Sequence, residues 1–193
     1  MRYRPLGNTG LTVSEIGFGC GDNAGLIVRG TPEERVRAVA QALDLGINYF
    51  DTSPDYGKGL SETHLGIVFR ELGVRPIITT KVEIMPDQAH DMAGAVRRSV
   101  EGSLKRLQLD WVDVVQIHNP PAAKRNPEAS GWMPISYDDM MGPGGALEGL
   151  ERLRREGKTR FLGFACEDAE AQTAARLLGT GLFQVINVWY DLI

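Results

Sequence analysis

The sequence predicts an α/β fold in which strands and helices alternate along one domain, as in a (β/α) barrel of the TIM type. Six short apolar runs typical of strands recur along the 193 residues, most of them spaced near the roughly 30 residues of a βαβ unit. Helix signals separate these runs. A Rossmann sheet would carry G-x-G-x-x-G after its first strand, but residues 17–22 read GFGCGD, with the last glycine misplaced. The alternation without this fingerprint favours a barrel.

The predicted strands are short and rich in β-branched residues, as expected where a parallel sheet is covered by helices. They begin near Ser14, Ile47, Ile77, Val112, Arg160 and Phe183. Ahead of them, residues 2–14 (RYRPLGNTGLTVS) are typical of a β-hairpin with a Gly/Asn turn. The fold therefore opens with an N-terminal hairpin.

The first helix is indicated by its boundaries. Thr31 is a good N-cap residue, Pro32 fits the first helical position, and Glu34 completes a capping box. Gly46 can adopt the left-handed conformation that ends such a helix. Four further segments are predicted to be helical: 61–72, 91–108, 146–157 and 168–179.

A stretch rich in Pro and Gly, residues 119–145, interrupts the alternation. Loops of this length are usually functional lids or disordered segments, and both alternatives remain open. Trp132, Met133 and Tyr137 in this stretch could line a substrate pocket or simply pack the loop against the fold.

Composition excludes several function classes. Hydrophobic residues make up 42% and charged residues 24% of the chain, typical of a folded protein. The net charge of -4 argues against a nucleic-acid partner. Cys20 and Cys166 are too far apart in sequence for a metal knuckle or disulfide framework. The sequence contains no signal-peptide core and no apolar run of membrane-spanning length. We therefore expect a cytoplasmic protein without a membrane partner.

Ionisable residues lie at the ends of three successive predicted strands: Asp51, Lys81 and His118, with Tyr56 just beyond Asp51. Each residue alone could be structural, but their combination is hard to ascribe to chance. An ammonium beside a phenol lowers its pKa and improves proton exchange near neutral pH. Asp51 would hold Lys81 charged, and His118 could orient a substrate oxygen. This chemistry fits the reduction of a carbonyl by a hydride.

These residues lie within motifs that resemble the aldo-keto reductase family: LGNTGLTVSEIGFG, GINYFDTSPDYG, ITTK, SLKRLQLDWVDVVQIH and GKTRFLGF. The motifs follow the family's order and spacing along essentially the whole chain. The resemblance implies an eight-stranded βα barrel with an N-terminal hairpin. It also implies a catalytic tetrad of Asp51, Tyr56, Lys81 and His118, with Tyr56 as the general acid. The implied cofactor is NADP(H), or NAD(H) in some members.

Two positions depart from the family pattern for holding the nicotinamide amide. Many members have Ser-Asn after the fifth strand, where this chain has Ala165 and Cys166, and a Gln on the sixth strand, where it has Asn187. Both changes weaken side-chain hydrogen bonding to the carboxamide, although Asn187 retains an amide. With Asp51, these residues are the predicted cofactor contacts.

The length also departs from the family, whose members have roughly 300 residues. The resemblance therefore implies a single reductase domain over residues 1–193, an incomplete barrel with about six of its eight βα units. Unpaired outer strand edges would favour a homo-oligomer or a completing chain. The function expected is hydride transfer between NADP(H) and a small aldehyde, ketone, sugar or alcohol. The alternative is a non-catalytic remnant, or a binding or regulatory subunit with the same fold.

Overall fold

A computed structural model describes residues 1–166 and 169–189 of the chain. They form two compact units. The first consists of Met1–Lys81 and Glu101–Asp113, and the second of Val82–Val100 and the residues from Val114 onward. Among the residues described, no helix has both the length and the apolar character needed to cross a bilayer.

Eight strands are present in the described residues. The bounds are β1 Tyr3–Pro5, β2 Thr12–Ser14, β3 Phe18–Gly19, β4 Tyr49–Asp51, β5 Ile77–Val82, β6 Val112–Ile117, β7 Thr159–Ala165 and β8 Val185–Asn187. β1 and β2 form the predicted antiparallel hairpin. β3 to β8 follow chain order in one six-stranded sheet, and β3 pairs parallel to β4, β4 to β5, and β7 to β8. The predicted six-strand alternation is confirmed.

Seven α-helices lie in the same described part of the chain. The bounds are α1 Leu26–Arg29, α2 Pro32–Asp44, α3 Leu60–Leu72, α4 Met92–Leu107, α5 Tyr137–Met141, α6 Ala146–Arg155 and α7 Ala171–Gly179. The capping box predicted for α2 is present, because Thr31 accepts from the Glu34 amide and Glu34 accepts from the Thr31 amide. The sequence analysis did not identify α1 or α5, which are only one turn long. Asp168 of the predicted 168–179 helix lies outside the described residues.

The core of the first unit determines which strand side chains face the helices. Phe50 is fully buried and packs edge-on against Phe69 of α3, with ring centroids 5.3 Å apart. Successive side chains in a strand point to opposite faces of the sheet. Tyr49 and Asp51 therefore lie on the face of β4 opposite the helix, and the same alternation in β5 places Thr79 and Lys81 there.

Every residue of β6 is buried, and its last four residues, from Val114 to Ile117, belong to the second unit. Phe164 of β7 packs edge-on against Phe183, with ring centroids 5.1 Å apart. The long 119–145 segment belongs to this unit and contains α5, whose N-terminus is capped by Ser136 and Asp139. Main-chain hydrogen bonds also join its two ends, including one from Ile135 N to Pro120 O at 3.1 Å. These hydrogen bonds therefore hold the first residues of the segment against the residues near 135.

Candidate active site

The buried Lys81 and the half-buried Asp51 form an ion pair on the face of β4 and β5 that is opposite α3. The Lys81 Nζ donates to Asp51 Oδ2 at 2.7 Å and to the Thr52 carbonyl at 3.1 Å. The strand register brings the two side chains together. Asp51 aligns with Thr79 in the parallel β4–β5 ladder, and Lys81 lies two residues further along β5 on the same face. Asp51 ends its strand as predicted, whereas β5 continues one residue beyond Lys81 to Val82.

Tyr56 lies against the same ammonium. Its hydroxyl accepts from Lys81 Nζ at 3.2 Å, and the ammonium is 4.8 Å from the ring centroid. Tyr56 opens a short 3-10 turn, Tyr56–Gly59, in which Gly57, Lys58 and Gly59 all have positive φ. The structure therefore brings Asp51, Tyr56 and Lys81 together, as predicted.

The turn after Tyr56 is held by the segment that follows β3. Asp22 Oδ2 accepts from the Gly57 amide at 2.9 Å. A Cβ at Gly21 would lie 3.4 Å from the Tyr56 ring, so the ring rests directly on this backbone. The sequence analysis did not assign Gly21 or Asp22 to the site.

Opposing effects act on the charge of Lys81. Burial alone lowers the pKa of this amine, but attraction to Asp51 and Tyr56, with hydrogen bonds to both, raises it above the ordinary value. Lys81 is therefore charged at neutral pH although its side chain has no exposed surface. The neighbouring Cys20 is affected differently: burial, reinforced by Asp51, raises the pKa of its thiol. Cys20 is thus a protonated packing residue.

A second polar pair, Tyr49 and Thr79, lies two residues before Asp51 on β4 and two residues before Lys81 on β5. The Tyr49 hydroxyl and Thr79 Oγ1 are 2.6 Å apart. Burial raises the pKa of Tyr49 to about 12, although the hydrogen bond to Thr79 opposes this change. Tyr49 therefore remains a neutral phenol whose hydroxyl is paired with Thr79, whereas the Tyr56 hydroxyl is paired with the Lys81 ammonium.

His118 belongs to the second unit, where it follows β6. Its amide donates to the Val82 carbonyl at 2.7 Å, and only 1% of the residue is exposed. The imidazole lies against the half-buried indole of Trp132, with ring centroids 4.1 Å apart and an interplanar angle of 36°. Of the three loop residues considered as pocket wall, Trp132 contacts a candidate site residue. Met133 is buried, and the Tyr137 ring lies beneath Arg176.

The three predicted cofactor residues of the second unit are also neighbours. Ala165 pairs with Asn187 in the β7–β8 ladder, and the Cys166 amide donates to the Asn187 carbonyl at 2.7 Å. Ala165 is buried, and Asn187 is half-buried. Burial raises the pKa of the half-buried Cys166 thiol, so this side chain is a neutral thiol near pH 7.

Several supporting polar residues were not predicted. Ser61 donates to the Cys20 carbonyl at 3.0 Å and lies 2.8 Å from Thr52 Oγ1. Glu62 is fully buried and accepts from Arg106 Nε at 2.7 Å. Asn119, which directly follows His118, is also fully buried. Their position next to motif residues, in DYGKGLSE and QIHN, is the only sequence signal that could have identified them.

Both the sequence and the fold of this chain are similar to those of known proteins. The model of the Aldo/keto reductase family matches residues 15–193. An L-galactose dehydrogenase from Arabidopsis thaliana is 37% identical over 166 residues, covering 84% of this chain and 48% of the relative. A "Probable voltage-gated potassium channel subunit beta" from Oryza sativa is 35% identical over 129 residues, covering 63% of this chain and 38% of the relative.

Solved structures extend the likeness to the fold. The holo form of an aldo-keto reductase from Bacillus halodurans superposes with a TM-score of 0.72 at 25% identity, covering 98% of this chain and 58% of that structure. The predicted (β/α) barrel class is thereby confirmed for the described strands. The chain spans about half the length, or less, of these curated relatives. On the family match and the shared fold, this chain belongs to the aldo/keto reductase family.

Proposed function

We propose that this chain carries a carbonyl-reducing site linked to NADP(H), with NAD(H) as the alternative cofactor. Its substrates are small aldehydes, ketones or sugars, and the reverse reaction oxidises the alcohol. One observation carries the proposal: a fully buried, charged Lys81 contacts both the Tyr56 hydroxyl and the Asp51 carboxylate. A buried ammonium is costly unless it is paired, and a phenol beside it is poised to release a proton.

Tyr56 is the proposed general acid. When it gives its hydroxyl proton to the substrate oxygen, the phenolate that remains faces the Lys81 ammonium, which stabilises the negative charge. Asp51 accepts a hydrogen bond from the same ammonium and keeps it oriented. In the reverse direction the phenolate takes the proton back from the alcohol. His118 is the proposed residue that orients the substrate oxygen.

A bound nicotinamide dinucleotide supplies the hydride for reduction and accepts it in the reverse oxidation. We assign its contacts to Asp51, Ala165, Cys166 and Asn187. Asp51 Oδ1 supports the fit, because it is a buried acceptor with no hydrogen-bond partner among the described residues. Hydroxyl and amide donors of a dinucleotide match such an atom. The half-buried Asn187 amide is the second matching group.

Replacing Tyr56 by Phe tests the proposed acid. Tyr56→Phe removes the hydroxyl and leaves the ring on Gly21, so carbonyl reduction should fall by about 100- to 10,000-fold. Binding of the dinucleotide, followed by nicotinamide fluorescence, should persist. Tyr3→Phe is the matched control, since it removes a hydroxyl of the β1–β2 hairpin that donates to the Gly46 carbonyl after α2. Wild-type turnover in Tyr56→Phe would show that another group supplies the proton.

The relative named as a channel subunit favours a second candidate, a binding or regulatory subunit that uses the same fold. The two candidates differ in one measurable respect. A reductase turns over a panel of aldehydes and ketones with consumption of NADPH, and Tyr56→Phe abolishes that turnover. A binding subunit takes up the dinucleotide but gives no turnover with either protein.

A further inference from the structure

The contact between His118 and Trp132 joins residues that are 14 positions apart. An imidazole buried to 99% and a half-buried indole lie with centroids 4.1 Å apart. Aromatic rings at this distance attract one another through offset or tilted packing. The indole therefore limits the rotation of the imidazole and keeps water from one of its faces.

Asn119 holds the backbone next to Trp132 in place. Its side chain is fully buried and makes three hydrogen bonds to main-chain groups. Its Nδ2 donates to the Ile84 and Met133 carbonyls, both at 2.9 Å, while its Oδ1 accepts from the Ile84 amide at 2.7 Å. Met133 directly follows Trp132, and Asn119 directly follows His118. One amide thus fixes the backbone on both sides of the ring contact.

Further main-chain bonds in the loop support the same placement. Ala122 N donates to Ile135 O at 2.9 Å, and Asn126 N donates to Pro134 O at 3.1 Å. Together with the bond from Asn119 to Met133 they hold the three residues that follow Trp132, residues 133–135, against the first part of the loop. Because these bonds order the backbone, the indole needs to lose little further freedom to remain on the imidazole.

We propose that Trp132 is a positioning residue that holds the His118 imidazole in its working orientation, with Asn119 fixing the loop that carries it. This inference rests on the proposed function, in which His118 orients the substrate oxygen. Placement of such a group within fractions of an ångström decides how well it acts. The Asn119–Trp132 arrangement therefore sets the rate of the reaction more than the affinity for the dinucleotide.

Substitutions at both positions test the inference. Trp132→Leu removes the aromatic face and Trp132→Phe retains one. Asn119→Asp replaces the amide NH2, which donates to two carbonyls, by an acceptor. The matched control is Asn126→Asp in the same loop, where the exposed side chain uses only its Oδ1, accepting from Glu128 N, a bond that Asp retains.

Two readouts are measured on each full-length variant: steady-state turnover, and the proton resonances of the His118 ring. The chain has three histidines, so the loss of one resonance set in His118→Asn identifies the ring. Protons over an indole face are shifted upfield by its ring current. Trp132→Leu and Asn119→Asp should lose this shift and lower kcat by about tenfold or more, with the KM for the dinucleotide unchanged. Trp132→Phe should retain most of kcat, and Asn126→Asp should match wild type.

The outcomes separate the two proposals. An active wild type whose Trp132→Leu variant keeps its kcat overturns the positioning role alone. An Asn119→Asp protein that folds and retains the upfield shift overturns the role of Asn119, and if it does not fold, the two Trp132 variants still decide the main point. A wild type that binds the dinucleotide but reduces no carbonyl overturns the proposed function, and this inference with it.

Discussion

Lys81 shows how a single residue joins the site to the fold. Taking an ammonium out of water is strongly unfavourable unless a counter-charge and hydrogen bonds replace the solvent. Here the counter-charge is Asp51, and the Thr52 carbonyl and the Tyr56 hydroxyl complete the shell. The three partners come from one strand end and the turn after it, so the local sequence D-T-x-x-x-Y supplies every group that stabilises the charge.

Replacing this lysine should change the pH dependence of the proposed reaction. The raised pKa of Lys81 keeps its charge at all working pH values, so the charge favours ionisation of Tyr56 throughout. In Lys81→Met that attraction is lost. Reduction requires protonated Tyr56, and the alkaline limb of the rate profile should therefore move to higher pH. Turnover should fall roughly 100-fold.

The control for this experiment is Lys105→Met, which removes an exposed lysine. Its pH profile should overlay that of wild type. An alkaline limb that stays in place in Lys81→Met, in a variant with native circular dichroism, would separate Lys81 from the ionisation of Tyr56.

A second prediction concerns the contribution of Tyr49 to the stability of the fold. Burial raises its pKa in the folded chain to about 12, against an ordinary value of 10.0. The folded state therefore holds this proton more tightly, and its contribution is present below pH 10 and lost as the pH rises from 10 to 12. At most this amounts to about 2–3 kcal/mol. Urea unfolding at pH 9 and pH 11 should show a smaller loss for Tyr49→Phe than for wild type. Equal losses would contradict this assignment.

At the scale of elements, the two faces of β4 and β5 explain why the site lies where it does. Thr80 of β5 contacts Glu62 of α3 on one face, while Thr79 and Lys81 take the other. Glu62 in turn binds Arg106 near the end of α4. The helix contacts therefore fix the direction in which Lys81 points, and the site depends on how closely α3 and α4 approach.

A substitution at Gly66 tests whether the fold depends on the close packing of α3 against α4. A Cβ at this position of α3 would lie 2.6 Å from the Leu107 carbonyl and 2.7 Å from the Arg106 carbonyl, both of them main-chain atoms. Gly66→Ala should therefore destabilise the fold by about 1–3 kcal/mol. Gly102→Ala in α4 is the matched control, because its nearest atom is a flexible arginine terminus at 3.2 Å, and alanine favours a helix over glycine. If thermal unfolding gave the same Tm shift for both variants, the close contact would not be what matters.

Elements with local signals could be predicted from the sequence. The capping box of α2 uses residues three apart, and the strand-end residues stand in compact motifs, so both were recognised. Asn119 could not be assigned its role in this way, since its Ile84 partner is 35 positions away and the contact uses main-chain atoms of any residue type. The one-turn helices α1 and α5 were missed for a related reason: they are too short to show helical periodicity.

At the scale of the whole molecule, the alternation of strands and helices was enough to predict the fold class. Parallel strands joined through helices follow one another in chain order, and this regularity is visible in the spacing of apolar runs. The contacts among Asp51, Tyr56 and Lys81 could also be anticipated, because Asp51 ends its strand and Lys81 lies near the carboxyl end of the neighbouring parallel strand. Whether residues 119–145 are ordered could not be predicted, since their order depends on contacts with Ile84 and on contacts within the loop.

The complete burial of Lys81 also makes it a built-in reporter of local opening. The chain has five lysines, and the other four, Lys58, Lys105, Lys124 and Lys158, are exposed or half-exposed. An acylating reagent attacks only a neutral, accessible amine, so it should label those four first and reach Lys81 only when the strand around it opens. Peptide mass spectrometry after timed labelling would follow each amine separately. The lag of Lys81 behind the others then measures how often the centre of the first unit comes apart under native conditions.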